Sequence, residues 1–279
     1  MNKEPLVSVL IPSYNSAKYL DDSIDSILNQ TYTNWELIIS DDCSTDDSFE
    51  IAQRYASEDK RIKAFKNERN LGISGNMNKA LEECSGKYIA ILDADDWSYS
   101  YRLKEQVDAM ENNNKIVACS GWFDICDEEL KVKYTKDLPE SNEELRKAMK
   151  RYMPLIHPGT MWRNEALFKT DLYPEYLNVG HDYLITIDIS EHGELYNLQK
   201  PVIKYRVREK SITGEKLFDT ELVTGYLQLY AHFKYDDYKL SKKEVFFITI
   251  RFLITVIFPA KFVRFLANYS TIIHRVLTK

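Results

Sequence analysis

Three aspartates stand within four residues, at Asp93, Asp95 and Asp96, with Ala94 inside the group and Trp97 after it. Carboxylates this close repel one another, and in a partly buried place they cannot all stay ionised cheaply. A divalent cation relieves that repulsion, and hard cations such as Mg²⁺ take oxygen ligands. The plainer reading is that Asp93 caps the next helix while the other two are solvated loop charges. Tyr14 offers an aromatic face and a hydroxyl, and Asp42 could accept a hydrogen bond from the imide N–H of a base. Gly72 and Gly75 would let backbone approach a diphosphate, with a helix amino end behind them. The bland alternatives are a packing tyrosine, a turn-forming aspartate and simple glycine turns.

These residues need elements to hold them. Lys87 to Leu92 is an apolar run of strand length just before Asp93. Similar runs occur at residues 6–11, 35–40, 62–65 and 115–119. Between them, residues 16–29 carry Leu20, Ile24, Ile27 and Leu28 at the spacing of one buried helical face. Ser44 and Asp47 have the look of a helix start, with that helix running to about residue 57. Asn70 to Gly75 form a turn opening a third helix, and residues 102–110 are helix-like. Alternating strands and helices predict an α/β fold with a mainly parallel sheet, Rossmann-like, covered on both faces. Right-handed crossovers bring every strand's carboxyl end to one edge, where ligands of such sheets bind. Tyr14, Asp42, Gly72 and Asp93 all fall on loops at that edge.

Composition narrows the function. The chain has 279 residues, of which 44% are hydrophobic and 29% charged, as in a globular protein. A net charge of −6 offers no general basic surface, so no nucleic-acid partner is expected. Cys43, Cys84, Cys119 and Cys126 lack C-x-x-C spacing and read as reduced cytosolic thiols. No signal peptide is evident at the amino end. The G-x-G-x-x-G fingerprint of nicotinamide enzymes is missing.

Four stretches together resemble a known family. They are Val7 to Asn15, Asp41 to Asp46, Asn70-Leu71-Gly72, and Leu92 to Asp96. In order and spacing they resemble family 2 glycosyltransferases of the GT-A fold, of the bacterial cell-surface polysaccharide type. The resemblance implies a nucleotide lying on Pro12, Tyr14, Asn15, Asp42, Asn70, Gly72, Asp93 and Ala94. It implies Mn²⁺ or Mg²⁺ held through Asp95 and Asp93, with Asp96 adjacent. Family members often carry Arg or Lys in the third helix near Met77, and this chain departs there.

In the second half, residues 137–152 are helix-prone, and residues 153–162 are irregular, with two prolines and a glycine. His157 within them could touch metal or acceptor, although a loop histidine is more often structural. Asp182, taken alone, is a first-turn anion of the helix at residues 183–190. The resemblance implies instead that Asp182 is the catalytic base, with His181 in place of the usual preceding Glu. A strand at residues 202–208 carries Arg206, which either serves leaving-group charge, as the family's comparable Tyr-Arg stretch implies, or pairs with a nearby acid. The Gln-x-x-Arg-Trp motif of processive synthases is absent.

From residue 217 the pattern is helical. The apolar run at residues 245–258 contains Arg251 and is short of the ~20 residues of a spanning helix. Residues 261–279 form a basic amphipathic pattern suited either to a membrane interface or to docking on protein, including a second subunit. The expected organisation is a catalytic domain at 1–214, with halves 1–115 for nucleotide and 116–214 for acceptor, and a helical region at 215–279. The expected activity is metal-dependent, inverting transfer of a sugar from a nucleotide-diphosphate donor, UDP-linked, to a glycan or lipid-linked hydroxyl. The expected location is cytoplasmic, with a peripheral place on the inner face of the cell membrane. The rivals are a polyprenyl-phosphate sugar transferase, which would not need Asp182 as a base, and a non-catalytic sugar-nucleotide-binding module. A nucleotidyltransferase would need a glycine-rich first loop bearing Lys or Arg, which this chain lacks.

Overall fold

A computed structural model of the chain describes residues 4–177, 179–208, 217–235 and 237–257. The chain divides into two compact units, Met1–Arg208 and Glu209–Lys279.

In the first unit the amino-terminal half of the sheet is as alternation demands. Strands β1 (Val7–Ser13), β2 (Trp35–Asp41), β3 (Ile62–Lys66) and β4 (Tyr88–Ile91) pair in parallel in the order β3-β2-β1-β4. Every residue of β1, β2 and β4 is buried. They are connected through helices α1 (Leu20–Leu28), α2 (Ser48–Glu58) and α3 (Gly72–Leu81). Helix α2 begins after Asp47, three residues later than the Ser44 cap signal suggested. The Ser44 hydroxyl is used elsewhere, accepting from the Asn15 N–H at 2.9 Å, and Asp46 receives the N–H groups of Ala17 and Ser48. Gly75 also differs from expectation. It lies buried inside α3, where an added Cβ would meet the Leu71 Cβ at 2.9 Å, so it serves close packing and offers no backbone to a ligand.

Beyond β4 come β5 (Trp97–Ser98), α4 (Arg102–Asn112), β6 (Ile116–Cys126) and β7 (Val132–Lys136). Then follow α5 (Asn142–Met149), a 3-10 turn at His157–Gly159, β8 (Met161–Arg163), α6 (Asn164–Leu167), α7 (His181–Ser190) and β9 (Glu194–Arg206). They extend the sheet to β3-β2-β1-β4-β8-β6-β9-β5, with β7 on β6. β8 runs antiparallel between β4 and β6, so Met161 and Trp162, read as irregular, belong with Arg163 to a central strand. β9 is far longer than the predicted 202–208 and contains Pro201. Its register against β6 slips at Gly121, Trp122 and Phe123, and that irregularity accommodates a residue with no N–H to give.

The second unit contains α8 (Leu217–Lys234) and α9 (Lys242–Ile257) packed together, with Leu227, Ala231 and Ile248 buried. Arg251 donates to Gln228 Oε1 at 2.9 Å. Phe233, Phe246, Phe247 and Ile257 are exposed. Among the described residues no helix is long and apolar enough to cross a membrane. The basic pattern at 261–279, and residues 209–214 at the end of the expected catalytic domain, lie outside the described residues.

Candidate active site

The carboxyl ends of β1, β2 and β4 carry three loops that interlock. Asn15, in the left-handed region at φ 50°, accepts from the Thr45 N–H at 2.9 Å and so ties the first loop to the second. Pro12 is buried within β1, whereas Tyr14 is 51% exposed, which leaves its ring free for stacking and rules out the packing alternative. Asp42 is buried and works as a clasp. Its Oδ1 accepts from Asn67 Nδ2 at 3.0 Å and the Leu71 N–H at 2.8 Å, and its Oδ2 accepts from the Gly72 N–H at 2.9 Å. Asn70 Oδ1 also accepts from the Gly72 N–H, at 3.1 Å. Gly72 has φ 75°, a conformation that costs glycine little, and this is what turns the chain into α3. A carboxylate has about four acceptor positions, so three bonds leave Asp42 Oδ2 room for one more donor. Met77 is fully buried, so α3 brings no cation to this edge from that position.

The acidic loop leaves β4 and turns sharply, with the Asp96 N–H donating to Asp93 O at 3.1 Å. Ser23 of α1 donates to Asp96 O at 2.7 Å. Asp93 and Asp95 are half-buried, while Ala94 and Asp96 are buried. Asp96 Oδ1 accepts the Arg206 N–H at 2.9 Å, and its Oδ2 is buried with no hydrogen-bond partner among the described residues. Arg206 is spent on the same loop. Its Nε donates to Asp95 O at 2.7 Å, Nη1 to Glu128 O at 2.5 Å and Nη2 to Asp22 Oδ2 at 2.7 Å, and its guanidinium lies 4.5 Å from the Tyr19 ring centroid. Of the two readings of Arg206, pairing with an acid is the one the geometry shows. Beneath the loop, fully buried Arg102 donates to the carbonyls of Ile91, Pro158 and Thr160 and to Gln106 Oε1. Burial pulls that guanidinium down to about 9.

Arg208 is the cation that faces the acids. Its Nε lies 2.8 Å from Asp95 Oδ2. Burial raises Asp93 to about 7, and the charges of Asp95 and Asp182 add to the rise while Arg208 opposes it. Burial also raises Asp95, against the pull of Arg208 and Arg206. Asp96 is raised well above the usual carboxylate range by burial and by its two neighbours. Asp93 thus feels the charges of Asp95, Asp182 and Arg208 together.

Asp182 sits in the first turn of α7, which Gly180 opens in the left-handed region at φ 76°, and its Oδ1 accepts the Tyr183 N–H at 2.9 Å. Around it lie His157, Tyr173, His181 and Trp162. His157 Nε2 is 2.9 Å from the Tyr173 hydroxyl, and the His157 and His181 rings are 6.2 Å apart, edge to face. Burial holds His157 near 4, against Asp182 and with a push from His181. Burial lowers His181 also, against Asp182. His157 is therefore neutral at pH 7, and burial biases His181 the same way, beside the one carboxylate among them.

Among the described residues no group of three His, Cys, Asp or Glu side chains is placed to hold a metal ion by itself. The donor set nevertheless fits a hard cation. Asp93 and Asp95 are crowded oxygens with raised proton affinity, and Mg²⁺ is commonly bound by one or two carboxylates plus substrate phosphates and water.

Comparisons with known proteins agree with this layout. Residues 8–173 match the model of glycosyl transferase family 2. An uncharacterized glycosyltransferase of Methanocaldococcus jannaschii is 34% identical over 235 residues, covering 83% of this chain and 80% of its own length. TuaG of Bacillus subtilis, assigned by name to teichuronic acid biosynthesis, is 41% identical over 121 residues, 43% of this chain and 48% of that protein. Among solved structures, Staphylococcus aureus TarS 1–349 in complex with UDP-GlcNAc superposes with a TM-score of 0.63 at 21% identity, over 89% of this chain and 72% of that one. A mannosyltransferase from Pyrobaculum calidifontis, in complex with GDP-Man and Mn²⁺, gives 0.64 at 14% identity, over 97% and 81%. The family match covers more than half of the chain, and with the GT-A-like sheet and the gathered acids it leads to one conclusion: this chain is a glycosyltransferase and belongs to glycosyl transferase family 2.

Proposed function

We propose that the chain is a metal-dependent inverting glycosyltransferase that moves a sugar from a UDP-linked donor to a hydroxyl of a cell-surface glycan or its lipid-linked precursor. The observation that carries this reading is the convergence of Asp93, Asp95 and Asp182 in one electrostatic field at the carboxyl edge of the sheet. Tyr14 stacks on the base and Asp42 Oδ2 takes its imide N–H, so nucleotide binding positions the reacting carbon. Asn15, Asn70, Gly72 and Ala94 shape the floor under the nucleotide. Asp95 and Asp93 would hold Mn²⁺ or Mg²⁺, which supplies charge neutralisation for the departing diphosphate. The acceptor oxygen attacks the anomeric carbon from the face opposite the leaving group. The bond from that carbon to the diphosphate breaks, its electron pair leaves with the nucleotide, and Asp182 takes the acceptor's proton. The two imidazoles beside Asp182, both held toward the neutral form by burial, leave it as the group that can take a proton.

The UDP-GlcNAc and GDP-Man·Mn²⁺ complexes of the structural neighbours support nucleotide sugar and metal, and the name of TuaG supports an envelope polymer as the product. The aromatic residues exposed on the second unit favour peripheral contact with the inner face of the membrane, or a homodimer, at that unit. The test is Asp182→Asn, assayed with UDP-sugars, Mn²⁺ and a glycan acceptor. Transfer is expected to fall by roughly 10²–10⁴ while the affinity for UDP stays within about twofold. Transfer that survives the change would move the assignment to a phosphate acceptor, which needs no base.

A further inference from the structure

Arg206 is the last residue of β9, and Arg208 follows two residues beyond it. Their circumstances differ. The Arg206 side chain is 3% exposed and donates to three groups, whereas that of Arg208 is 35% exposed and has Asp95 as its one ion partner among the described residues. Its guanidinium also lies 5.9 Å from the Tyr19 ring centroid. The oxygen that Arg208 holds, Asp95 Oδ2, belongs to one of the two carboxylates that the proposed function gives to the divalent cation. A guanidinium and a cation cannot share that oxygen at contact distance.

We propose that Arg208 is the counter-ion of Asp95 in the donor-free enzyme, and that a divalent cation must displace it to bind. The inference rests on the metal-dependent reading above. Its consequence is that metal alone binds weakly, because it must break an ion pair and set a guanidinium loose beside a second cation. When the nucleotide enters as well, its diphosphate supplies the negative charge that receives the displaced guanidinium. Metal and nucleotide then bind as a pair, each raising the affinity of the other by the same factor. Arg208 is a positioning residue in this scheme. Its tight neighbour Arg206 keeps the loop fixed while the exchange takes place.

The experiment is Mn²⁺ binding to the full-length chain, followed by the electron spin resonance signal of free Mn²⁺, with and without UDP. Arg208→Gln is expected to bind Mn²⁺ alone about tenfold more tightly than the unaltered protein, the scale of a half-buried ion pair. The factor by which UDP strengthens Mn²⁺ binding should shrink by at least as much, and Arg208→Lys should keep most of the coupling. In the unaltered chain, the Arg208 Nε–H resonance should shift with Mg²⁺ and UDP together and stay in place with Mg²⁺ alone. Equal Mn²⁺ affinities of the unaltered and Arg208→Gln proteins without nucleotide, together with UDP-assisted Mn²⁺ binding of equal strength in both, would overturn the inference and leave the proposed function standing. Absence of Mn²⁺ binding in both proteins, even with UDP, would overturn the metal-dependent reading and this inference with it.

Discussion

Arg206→Met separates a structural arginine from one that serves the leaving group. The substitution removes three donors from a side chain that is almost wholly buried. Two of the acceptors are backbone carbonyls, Asp95 O and Glu128 O, which would be left without those bonds. A buried acceptor stripped of its partner costs about 1–3 kcal/mol. The third acceptor belongs to Asp22, whose side chain is 48% exposed, so that ion pair adds about 1 kcal/mol or less. The contact with the Tyr19 ring is worth about 0.5–1 kcal/mol. Methionine refills much of the volume and recovers part of the apolar contact. The net loss is then about 3–5 kcal/mol, which for a unit of this size lowers its melting temperature by roughly 10–15 °C.

The assay is thermal unfolding of the full-length protein by circular dichroism, with donor KM and kcat measured in parallel at a temperature where the variant is folded. A loosened Asp95–Asp96 turn should raise the donor KM, because the acids no longer hold a fixed spacing. Arg206→Lys keeps the charge but not the three-way fork, and should recover less than half of the lost stability. The refuting result is a variant that melts within about 2 °C of the unaltered protein while kcat falls a hundredfold. Arg206 would then act on the diphosphate, and its hold on the loop would be incidental.

Two further outcomes follow from the same structure. Tyr14→Ala removes an exposed ring, so the melting temperature should stay within about 1 °C, while UDP binding weakens about tenfold or more through lost base stacking; unchanged affinity in a UDP titration would remove Tyr14 from the base site. Glu36 offers a pH test remote from catalysis. Burial favours its protonated form, but bonds from the Ser8 and Ser85 hydroxyls, the Ser85 N–H and Lys63 outweigh burial and bring it from 4.5 to about 2. Because its folded value lies below its unfolded one, its contribution is complete above about pH 4.5 and is lost as pH falls through about 2. The shift corresponds to about 3 kcal/mol, reduced to about 2 kcal/mol because the Lys63 side chain is 50% exposed. Melting curves between pH 2 and 5 should therefore fall more steeply for the unaltered protein than for Glu36→Gln, and parallel curves would count against the network.

What could be read from the sequence and what could not divides along the reach of the interactions. The parallel half was legible because each strand is a short apolar run and each crossover is local. Its ends alone place Tyr14, Asp42, Gly72 and Asp93 on one edge. Boundaries slipped where a side chain had a distant partner. Ser44 looks like a helix cap until its hydroxyl is seen to accept from Asn15, 29 residues earlier. Pro201 stands inside β9, so only the stretch after it, residues 202–208, reads as a strand; the β6 strand opposite shows how a register shift lets the run extend back through the proline.

The arginines make the same point at the site itself. Arg102 lies in the first turn of a helix, where a sequence reads it as a solvated charge, yet it is fully buried on carbonyls from two other segments. The partners of Arg206 lie at residues 22, 95, 96 and 128, and no local pattern announces them. Carboxylates that cluster in sequence declare a charge problem immediately. The cations that solve it are drawn from wherever the sheet's far strand happens to end. That strand ends at the acidic loop because β5, which leaves the loop at Trp97, pairs with β9 at Lys204. Two ladder residues thus bring Arg206 and Arg208 to the acids, which is why the anionic part of this site is written in one short motif and the cationic part only in the topology.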